Sequence, residues 1–180
     1  MKYPSDIMSE VLFTEEQIVN KAKELAEKIN KDYQNKPLTV VCTLKGAIYF
    51  FADLMKHIDI DCQFEFIKAS SYIGNTTMTI GNVQITNVMN FPIEDRDILI
   101  VEDIIDTGRT LKDIYNLLKT RNPLSLRVIT LLDKPDRRVV EFTPDYTLFT
   151  IPDHFVIGYG LDCGELYRTL PYIAEYNQDI

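Results

Sequence analysis

The sequence contains few of the residues that build cross-linked or metal-held scaffolds. Its 180 residues include three cysteines, two histidines and no tryptophan. No Cys-x-x-Cys pair occurs, which argues against a disulfide framework and a zinc knuckle, so we expect Cys42, Cys62 and Cys163 to be buried free thiols in a reducing compartment. A chain of this length buries about 70% of the surface that its unfolded state exposes, so it needs no disulfide or structural metal to hold a single fold.

Long apolar runs and an excess of positive charge are also absent. The longest apolar stretch, residues 46–55, is too short to span a bilayer and includes Asp53. No apolar segment follows the N-terminal charge to form a signal peptide. With 19 Lys and Arg against 27 Asp and Glu, the net charge is −8. This balance argues against binding of nucleic acid through overall charge, so we expect a cytoplasmic protein without nucleic-acid or membrane partners.

What the sequence does contain is an alternation of helical and extended patterns. Apolar residues make up 46% and charged residues 26%, which is typical of a globular chain. The periodicity predicts an α/β fold in one domain over residues 1–180, with a mainly parallel sheet flanked by helices. The predicted helices cover residues 14–33, 47–57 and a stretch after 110, and the predicted strands cover residues 38–44, 60–69, 97–101, 126–132, 146–151 and 155–159.

One segment does not fit this alternation. Residues 70–91 are rich in Gly and Asn and contain only short alternating runs. We expect a loop or loose hairpin that projects from the body, because long connections in compact domains are usually functional lids or disordered segments.

The most informative segment lies after the predicted strand 97–101. It has an acidic first half, Glu102 and Asp103, and a second half, residues 106–110, that combines glycine with two threonines at a helix start. Ligands bind outside the carboxyl ends of strands in such sheets, and a helix N-terminus with a glycine suits a phosphate. Carboxylates beside it suit sugar hydroxyls or a hard cation. The alternative is that Asp106 and Thr107 only cap the helix.

Other motifs are missing. The sequence has no G-x-x-x-x-G-K-[ST] loop, no H-E-x-x-H and no G-x-S-x-G. Gly158-Tyr159-Gly160 matches only part of a dinucleotide-binding motif and lies too near the C-terminus for a complete βαβ unit, so we discard it.

The segment 101–110 resembles the phosphoribosyl-pyrophosphate motif of type I phosphoribosyltransferases. Further matches follow in the order of that family and cover residues 38–172: Leu44-Lys45-Gly46, Ser71-Tyr72, Leu132-Asp133-Lys134, and residues 155–162 with Arg168. Together they resemble the family of bacterial hypoxanthine(-guanine) phosphoribosyltransferases.

The resemblance implies a fold and a reaction. The fold would be a core over about residues 10–150, a flexible lid over about 70–91, and a small hood formed by about 151–180 with N-terminal residues. The enzyme would transfer the phosphoribosyl group of phosphoribosyl pyrophosphate to hypoxanthine or guanine, giving IMP or GMP and pyrophosphate in purine salvage. It would use Mg²⁺ and form a homo-oligomer, a dimer or a tetramer.

The resemblance also implies roles for single residues. Asp106 would be the catalytic base at purine N7, with Glu102 and Asp103 on the ribose hydroxyls. Asp162 would bind the metal, with Glu102 and Asp103 near it through ribose or water. The other implied contacts are Asp106, Thr107, Gly108, Arg109 and Thr110 for the 5′-phosphate, Lys45, Gly46 and Arg168 for pyrophosphate, Lys134, Phe155 and Val156 for the base, and Ser71 and Tyr72 for the lid.

Several of these residues have simpler interpretations. Lys45 and Arg168 could be solvated charges, Lys134 could pair with Asp133 or Asp136, and a phenylalanine in a strand is more often core. His57 and His154 receive no role. Two other functions stay open, namely a transferase that prefers xanthine or guanine, and a non-catalytic regulator of the same fold that senses phosphoribosyl pyrophosphate. The charge of −8 argues against the regulator.

Overall fold

The computed structural model describes residues 7–70, 79–80, 83–86 and 93–177. Within these ranges it contains ten strands, three α-helices and one 3₁₀ turn, Pro135–Arg137. In chain order, the elements are β1 (Met8–Phe13), α1 (Glu15–Asp32), β2 (Leu38–Leu44), α2 (Ile48–Met55), β3 (Cys62–Ser70), β4 (Thr79–Ile80), β5 (Val83–Thr86), β6 (Asp97–Ile105), α3 (Arg109–Lys119), β7 (Ser125–Asp133), β8 (Tyr146–Thr150), β9 (Val156–Ile157) and β10 (Ile173–Tyr176).

The larger sheet confirms the predicted α/β class. Its strand order is β4-β5-β3-β2-β6-β7-β8. The five strands from β3 to β8 in this order pair in parallel, while β5 joins β3 and β4 antiparallel. Strand β2 is buried along nearly its whole length, as a parallel strand covered on both faces must be.

The position of a ligand site follows from this strand order. Strand β2 is central, and the chain builds the sheet outward from it in one direction through β3 and in the other through β6. The pairing of β2 with β6 ends at Cys42 and Val101, although β6 continues beside β7 to Ile105. The two strands therefore part at their carboxyl ends, which is the switch point where open α/β sheets bind ligands.

Helices cover both faces of the sheet. Along β6, Leu99 and Val101 belong to the core under α1 and α2, whereas Ile98 and Ile100 belong to the core under α3. A capping box is present at the start of α1, because Gln17 N–H donates to Thr14 Oγ1 at 3.3 Å and Thr14 N–H donates to Gln17 Oε1 at 2.9 Å. These contacts fix the first turn of α1.

A second, smaller sheet joins the two ends of the described chain. Its order is β1-β10-β9, and both pairings are antiparallel. Sequence analysis missed β1 and β10, and it predicted a longer strand, residues 155–159, where β9 has only Val156–Ile157. This sheet includes segments assigned above to the hood.

The sequence-based boundaries need two further corrections. Strand β6 does not end at Val101 but includes Glu102 and Asp103, because their backbone continues to pair with β7. Helix α2 ends at Met55, before His57. In the predicted lid, the structure describes only β4 and β5, and Ser71 and Tyr72 lie outside the described residues.

The three cysteines are free, but only Cys42 is buried. Burial, with the nearby charges of Glu102 and Asp103, raises the pKa of the Cys42 thiol to about 12. Within the described ranges, no helix combines the length and the apolar character that crossing a bilayer requires.

Because β6 forms the centre of both cores, we predict a large stability loss for Leu99→Ala. Leu99 is fully buried, and its truncation should lower the free energy of unfolding by about 2–5 kcal/mol. Leu124→Ala makes the same chemical change at a side chain that is 61% exposed, and should cost less than about 0.5 kcal/mol. Urea unfolding of both variants measures the difference, and equal losses would contradict the assigned core.

Candidate active site

Three adjoining depressions lie along the carboxyl ends of the parallel strands. The α3 compartment is lined by Glu102, Ile104, Ile105, Asp106, Thr107, Gly108, Thr110 and Leu111. The β2 compartment is lined by Thr43, Leu44, Lys45, Gly46, Glu102, Asp103, Thr110, Ile114, Asp162 and Arg168. The β9 compartment is lined by Asp103, Ile104, Asp106, Lys134, Phe155, Val156, Leu161 and Asp162.

The compartments form one cleft because each pair shares wall residues. Glu102 lines both the α3 and β2 compartments, Asp103 lines the β2 and β9 compartments, and Asp106 lines the α3 and β9 compartments. Of the described residues assigned to a site above, all except Arg109 line at least one compartment. Arg109 is the exposed first residue of α3.

The α3 compartment is built from a tight turn at the start of a helix. Gly108 is the N-cap of α3 with φ of 80°, and it contributes no side-chain cap. Thr107 Oγ1 accepts a 3.5 Å hydrogen bond from the N–H of Arg109. The first N–H groups of a helix have no partner within the helix, and together with two threonine hydroxyls they suit an anion.

Asp106 does not cap this helix, so the capping interpretation is wrong for it. Its Oδ1 accepts a 3.0 Å hydrogen bond from Nε of Arg137, which lies in the turn after β7. Arg138, the next residue, donates to the backbone oxygen of Asp106 at 3.1 Å and pairs with Asp133. Two arginines that the sequence analysis did not select therefore hold Asp106 and its backbone.

Glu102 and Asp103 stand where β2 and β6 part. The Thr43 hydroxyl donates to Glu102 Oε1 at 2.9 Å, and the N–H of Asp103 donates to the same oxygen at 3.1 Å. Burial raises the pKa of the Glu102 carboxyl well above its usual value, and the adjacent Asp103 carboxyl raises it further. The hydrogen bonds from Thr43 and from the Asp103 backbone oppose this shift, because they stabilise the charged carboxylate.

Gly46 brings the end of β2 against β6 and against the C-terminal segment. A Cβ atom at Gly46 would lie 1.6 Å from Asp103 Oδ2, and one at Gly160 would lie 1.9 Å from the backbone oxygen of Gly46. Gly160 has no room for a side chain, and a side chain at Gly46 would displace the Asp103 carboxyl. The preceding peptide bond, Leu44–Lys45, is cis.

Two cations that line the β2 compartment, Lys45 and Arg168, are held by the carboxylate of Glu165, which does not itself line the compartment. Lys45 Nζ lies 2.6 Å from Glu165 Oε2, and Arg168 donates to Glu165 Oε1 at 3.2 Å. Arg168 also pairs with Asp162 at 2.8 Å, and the N–H of Glu165 donates to Asp162 at 2.8 Å. The hydrogen bond from Lys45 and the charge of Arg168 lower the pKa of Glu165. Lys45 and Arg168 are thus paired rather than merely solvated.

In the β9 compartment, Lys134 is a buried cation whose side chain is only 7% exposed. Its ammonium lies 3.6 Å from Asp153 Oδ1, so the pairing with Asp133 or Asp136 considered above is wrong. Phe155 is 42% exposed, which excludes a simple core role, and its ring packs against Tyr176 at a centroid distance of 5.5 Å. Val156 is buried at the back of the compartment.

Sequence analysis missed residues that act through tertiary contacts. Thr43, Arg137, Asp153 and Glu165 each contact a predicted site residue, and the sequence offered a signal only for Arg137, which lies in a charged turn. His154 is not among the residues that line the three compartments, and its Nδ1 lies 2.5 Å from Glu175 Oε1.

The raised pKa of Glu102 predicts a pH dependence of stability. Between the ordinary value near 4.5 and the higher pKa of the folded protein, the unfolded chain has released a proton that the folded chain keeps. Glu102 therefore makes the free energy of unfolding fall as the pH rises through this window.

Glu102→Gln removes the titrating carboxyl, so its free energy of unfolding should decline less than that of the wild type as the pH rises above the ordinary value near 4.5. Urea unfolding in metal-free buffer measures both slopes, with the exposed Glu141→Gln as the matched control. Parallel slopes for wild type and Glu102→Gln would contradict the assignment.

Comparison with known proteins places the chain in a family. The phosphoribosyl transferase domain matches residues 9–163. A curated hypoxanthine-guanine phosphoribosyltransferase from Staphylococcus aureus is 49% identical over 96% of each chain, and one from Streptococcus mutans is 44% identical over the same shares.

A solved hypoxanthine phosphoribosyltransferase from Staphylococcus aureus superposes with a TM-score of 0.90 at 49% identity, covering 96% of this chain and 94% of that one. The motif order, the parallel sheet and these similarities agree. The chain belongs to the phosphoribosyltransferase family, as a member of its bacterial hypoxanthine-guanine branch.

Proposed function

We propose that the chain transfers the phosphoribosyl group of phosphoribosyl pyrophosphate to hypoxanthine and guanine, giving IMP or GMP and pyrophosphate, in cytoplasmic purine salvage. The observation that carries this proposal is the cleft of three compartments with shared acidic walls. The three compartments would hold the 5′-phosphate, the diphosphate and the base side by side. The ribose, to which all three groups attach, would lie between Glu102, Asp103 and Asp106.

The 5′-phosphate is proposed to bind in the α3 compartment. The N-terminal N–H groups of α3 and the hydroxyls of Thr107 and Thr110 would donate to it. Gly108 lets the backbone turn toward the anion, and the backbone N–H of Arg109 belongs to the same turn. The exposed side chain of Arg109 is not required for this contact.

Pyrophosphate is proposed to bind in the β2 compartment, through Lys45, the Gly46 backbone and Arg168. The Glu165 carboxylate already attracts Lys45 and Arg168 to one place, which supports an anion site between them. Pyrophosphate would take over these cations from Glu165. Carboxylate and phosphate oxygens compete for the same guanidinium and ammonium donors.

Magnesium fits this compartment as a cofactor shared with the substrate. Among the described residues, no three His, Cys, Asp or Glu side chains form a metal-binding group. Mg²⁺ is usually bound by one or two carboxylates together with substrate phosphates, and Asp162 offers such a carboxylate beside Glu102 and Asp103. When bound, the ion would neutralise charge on the pyrophosphate.

The base is proposed to bind in the β9 compartment. Phe155 offers a ring to stack on it, Val156 offers its backbone, and Lys134 donates to the 6-oxo group. During synthesis the purine N9 bonds to C1′ of the ribose, the C1′–O bond to pyrophosphate breaks, and Asp106 accepts the proton from N7. Positioning and electrostatic stabilisation then account for most of the rate enhancement.

Assembly into a dimer or tetramer is part of the same proposal. Ile48 and Tyr49 at the start of α2 and Phe64 on β3 are large apolar side chains that are 40–54% exposed. Burial of these side chains against a second copy of the chain would remove apolar surface from water, which favours association.

Asp106→Asn tests the catalytic assignment. The amide keeps the size of the side chain but cannot accept the N7 proton, so kcat should fall by about 10²–10⁴-fold while KM for phosphoribosyl pyrophosphate changes little. Steady-state kinetics of IMP formation measure both constants. The control is Asp59→Asn, at an exposed position before β3. Near-normal kcat in Asp106→Asn would remove Asp106 from the mechanism.

Lys134→Gln tests base recognition. An ammonium only donates hydrogen bonds, so it suits a 6-oxo group and leaves the 6-amino group of adenine unmatched, at a cost of about 1–3 kcal/mol. Glutamine both donates and accepts. The ratio of kcat/KM for hypoxanthine to that for adenine should therefore fall, mainly through loss on hypoxanthine, whereas exposed Lys23→Gln should leave it unchanged. An unaltered ratio in Lys134→Gln would show that other groups read the 6-position.

A further inference from the structure

We propose that Arg137 and Asp153 are positioning residues that tie the proton acceptor Asp106 to the base reader Lys134. This inference rests on the proposed function and extends it, because it makes recognition at the 6-position and proton acceptance at N7 mutually dependent. It rests on a chain of ion pairs behind the base compartment.

The chain runs through four alternating charges. Arg137 Nε donates to Asp106 Oδ1 at 3.0 Å, and its Nη1 lies 3.4 Å from Asp153 Oδ2. The other oxygen of Asp153, Oδ1, lies 3.6 Å from Lys134 Nζ. Asp153 thus divides its two oxygens between two cations, and Arg137 divides its guanidinium between two carboxylates.

Only the two ends of this chain line the β9 compartment. Asp106 and Lys134 are among its wall residues, whereas Arg137 and Asp153 are not. A bound base would therefore contact the ends, and the middle pair would act through them. Arg137 donates to Oδ1 of Asp106 and fixes the orientation of the carboxylate, and we assign Oδ2 as the oxygen that accepts the N7 proton.

The exposure of the four side chains indicates that these ion pairs orient the side chains more than they stabilise the fold. The side chains of Asp106, Arg137 and Asp153 are 42%, 47% and 53% exposed, and exposed ion pairs add little to folding stability. Lys134 differs because its side chain is buried. Asp153 is its only ion-pair partner among the described residues, so we expect Asp153 to fix the position of the ammonium. Loss of the Asp153 carboxylate should change the position of the Lys134 ammonium without unfolding the protein.

The fork of the guanidinium is essential to this proposal. Arginine presents several N–H donors in a rigid plane, so one side chain can engage two carboxylates in fixed directions. Lysine carries the same charge on a single flexible ammonium. If Arg137 acted only through its charge, Arg137→Lys would behave like the wild type, whereas a positioning role predicts that it behaves like Arg137→Gln.

A double-mutant cycle tests the coupling. It compares wild type, Asp153→Asn, Lys134→Gln and the double variant by kcat and KM for hypoxanthine and for phosphoribosyl pyrophosphate. In the wild-type background, Asp153→Asn should lower kcat/KM for hypoxanthine by about three- to thirtyfold, a range typical of residues in one network. In the Lys134→Gln background, Asp153→Asn should lower kcat/KM for hypoxanthine by less than about twofold, because Asp153 acts through Lys134.

Two controls separate positioning from other effects. Asp136→Asn removes one exposed carboxylate from the turn that contains Arg137, so it should leave kcat and KM for hypoxanthine unchanged. In Asp153→Asn, KM for phosphoribosyl pyrophosphate should stay constant and the far-UV circular dichroism spectrum should match that of the wild type, although the melting temperature should fall because buried Lys134 loses its charged partner. A cycle without coupling, or full activity in Arg137→Lys, would overturn the proposal. Absence of IMP formation by the wild type would instead overturn the proposed function, so the two failures are distinguishable.

Discussion

The close contact of Asp103, Gly46 and Gly160 is the constraint on which the site depends. Three segments meet there with only the Asp103 side chain between them: the turn after β2, the end of β6 and the segment after β9. Each compartment takes its walls from one or more of these segments. A side chain at Gly46 would displace the Asp103 carboxyl, and one at Gly160 would collide with the Gly46 backbone, so the geometry of the cleft depends on the absence of a Cβ atom at both positions.

Electrostatics then determine what this cleft can bind. The carboxyl groups of Glu102 and Asp103 stand together where the strands part, and burial raises the pKa of Glu102. Lys45 and Arg168 line the β2 compartment with them, Lys134 lines the β9 compartment with Asp103, and all three cations pair with carboxylates. The cations are therefore held near the cleft by carboxylates before a substrate arrives, and binding of pyrophosphate needs only an exchange of partners at Lys45 and Arg168.

The sequence predicted the centre of the fold well because local patterns determine it. Apolar runs gave β2, β6 and β7, and residues 101–110 marked the carboxyl edge where ligands bind. Prediction from the sequence failed where pairing between distant segments determines the structure. Strands β1 and β10 pair across the whole chain and carry mixed patterns, and β6 runs through Glu102 and Asp103 only because β7 supplies partners. The ion pairs of Arg137, Asp153 and Glu165 likewise arise from folding, so spacing in the sequence could not reveal them.

The central claim is that one cleft binds both substrates and joins them. The most direct measurement mixes the wild-type protein with hypoxanthine, phosphoribosyl pyrophosphate and Mg²⁺ and quantifies IMP and pyrophosphate over time. The account predicts that the two products accumulate in equal amounts and that neither forms without the base. Release of pyrophosphate with free ribose phosphate and no IMP would show that water is the acceptor, and it would contradict the account.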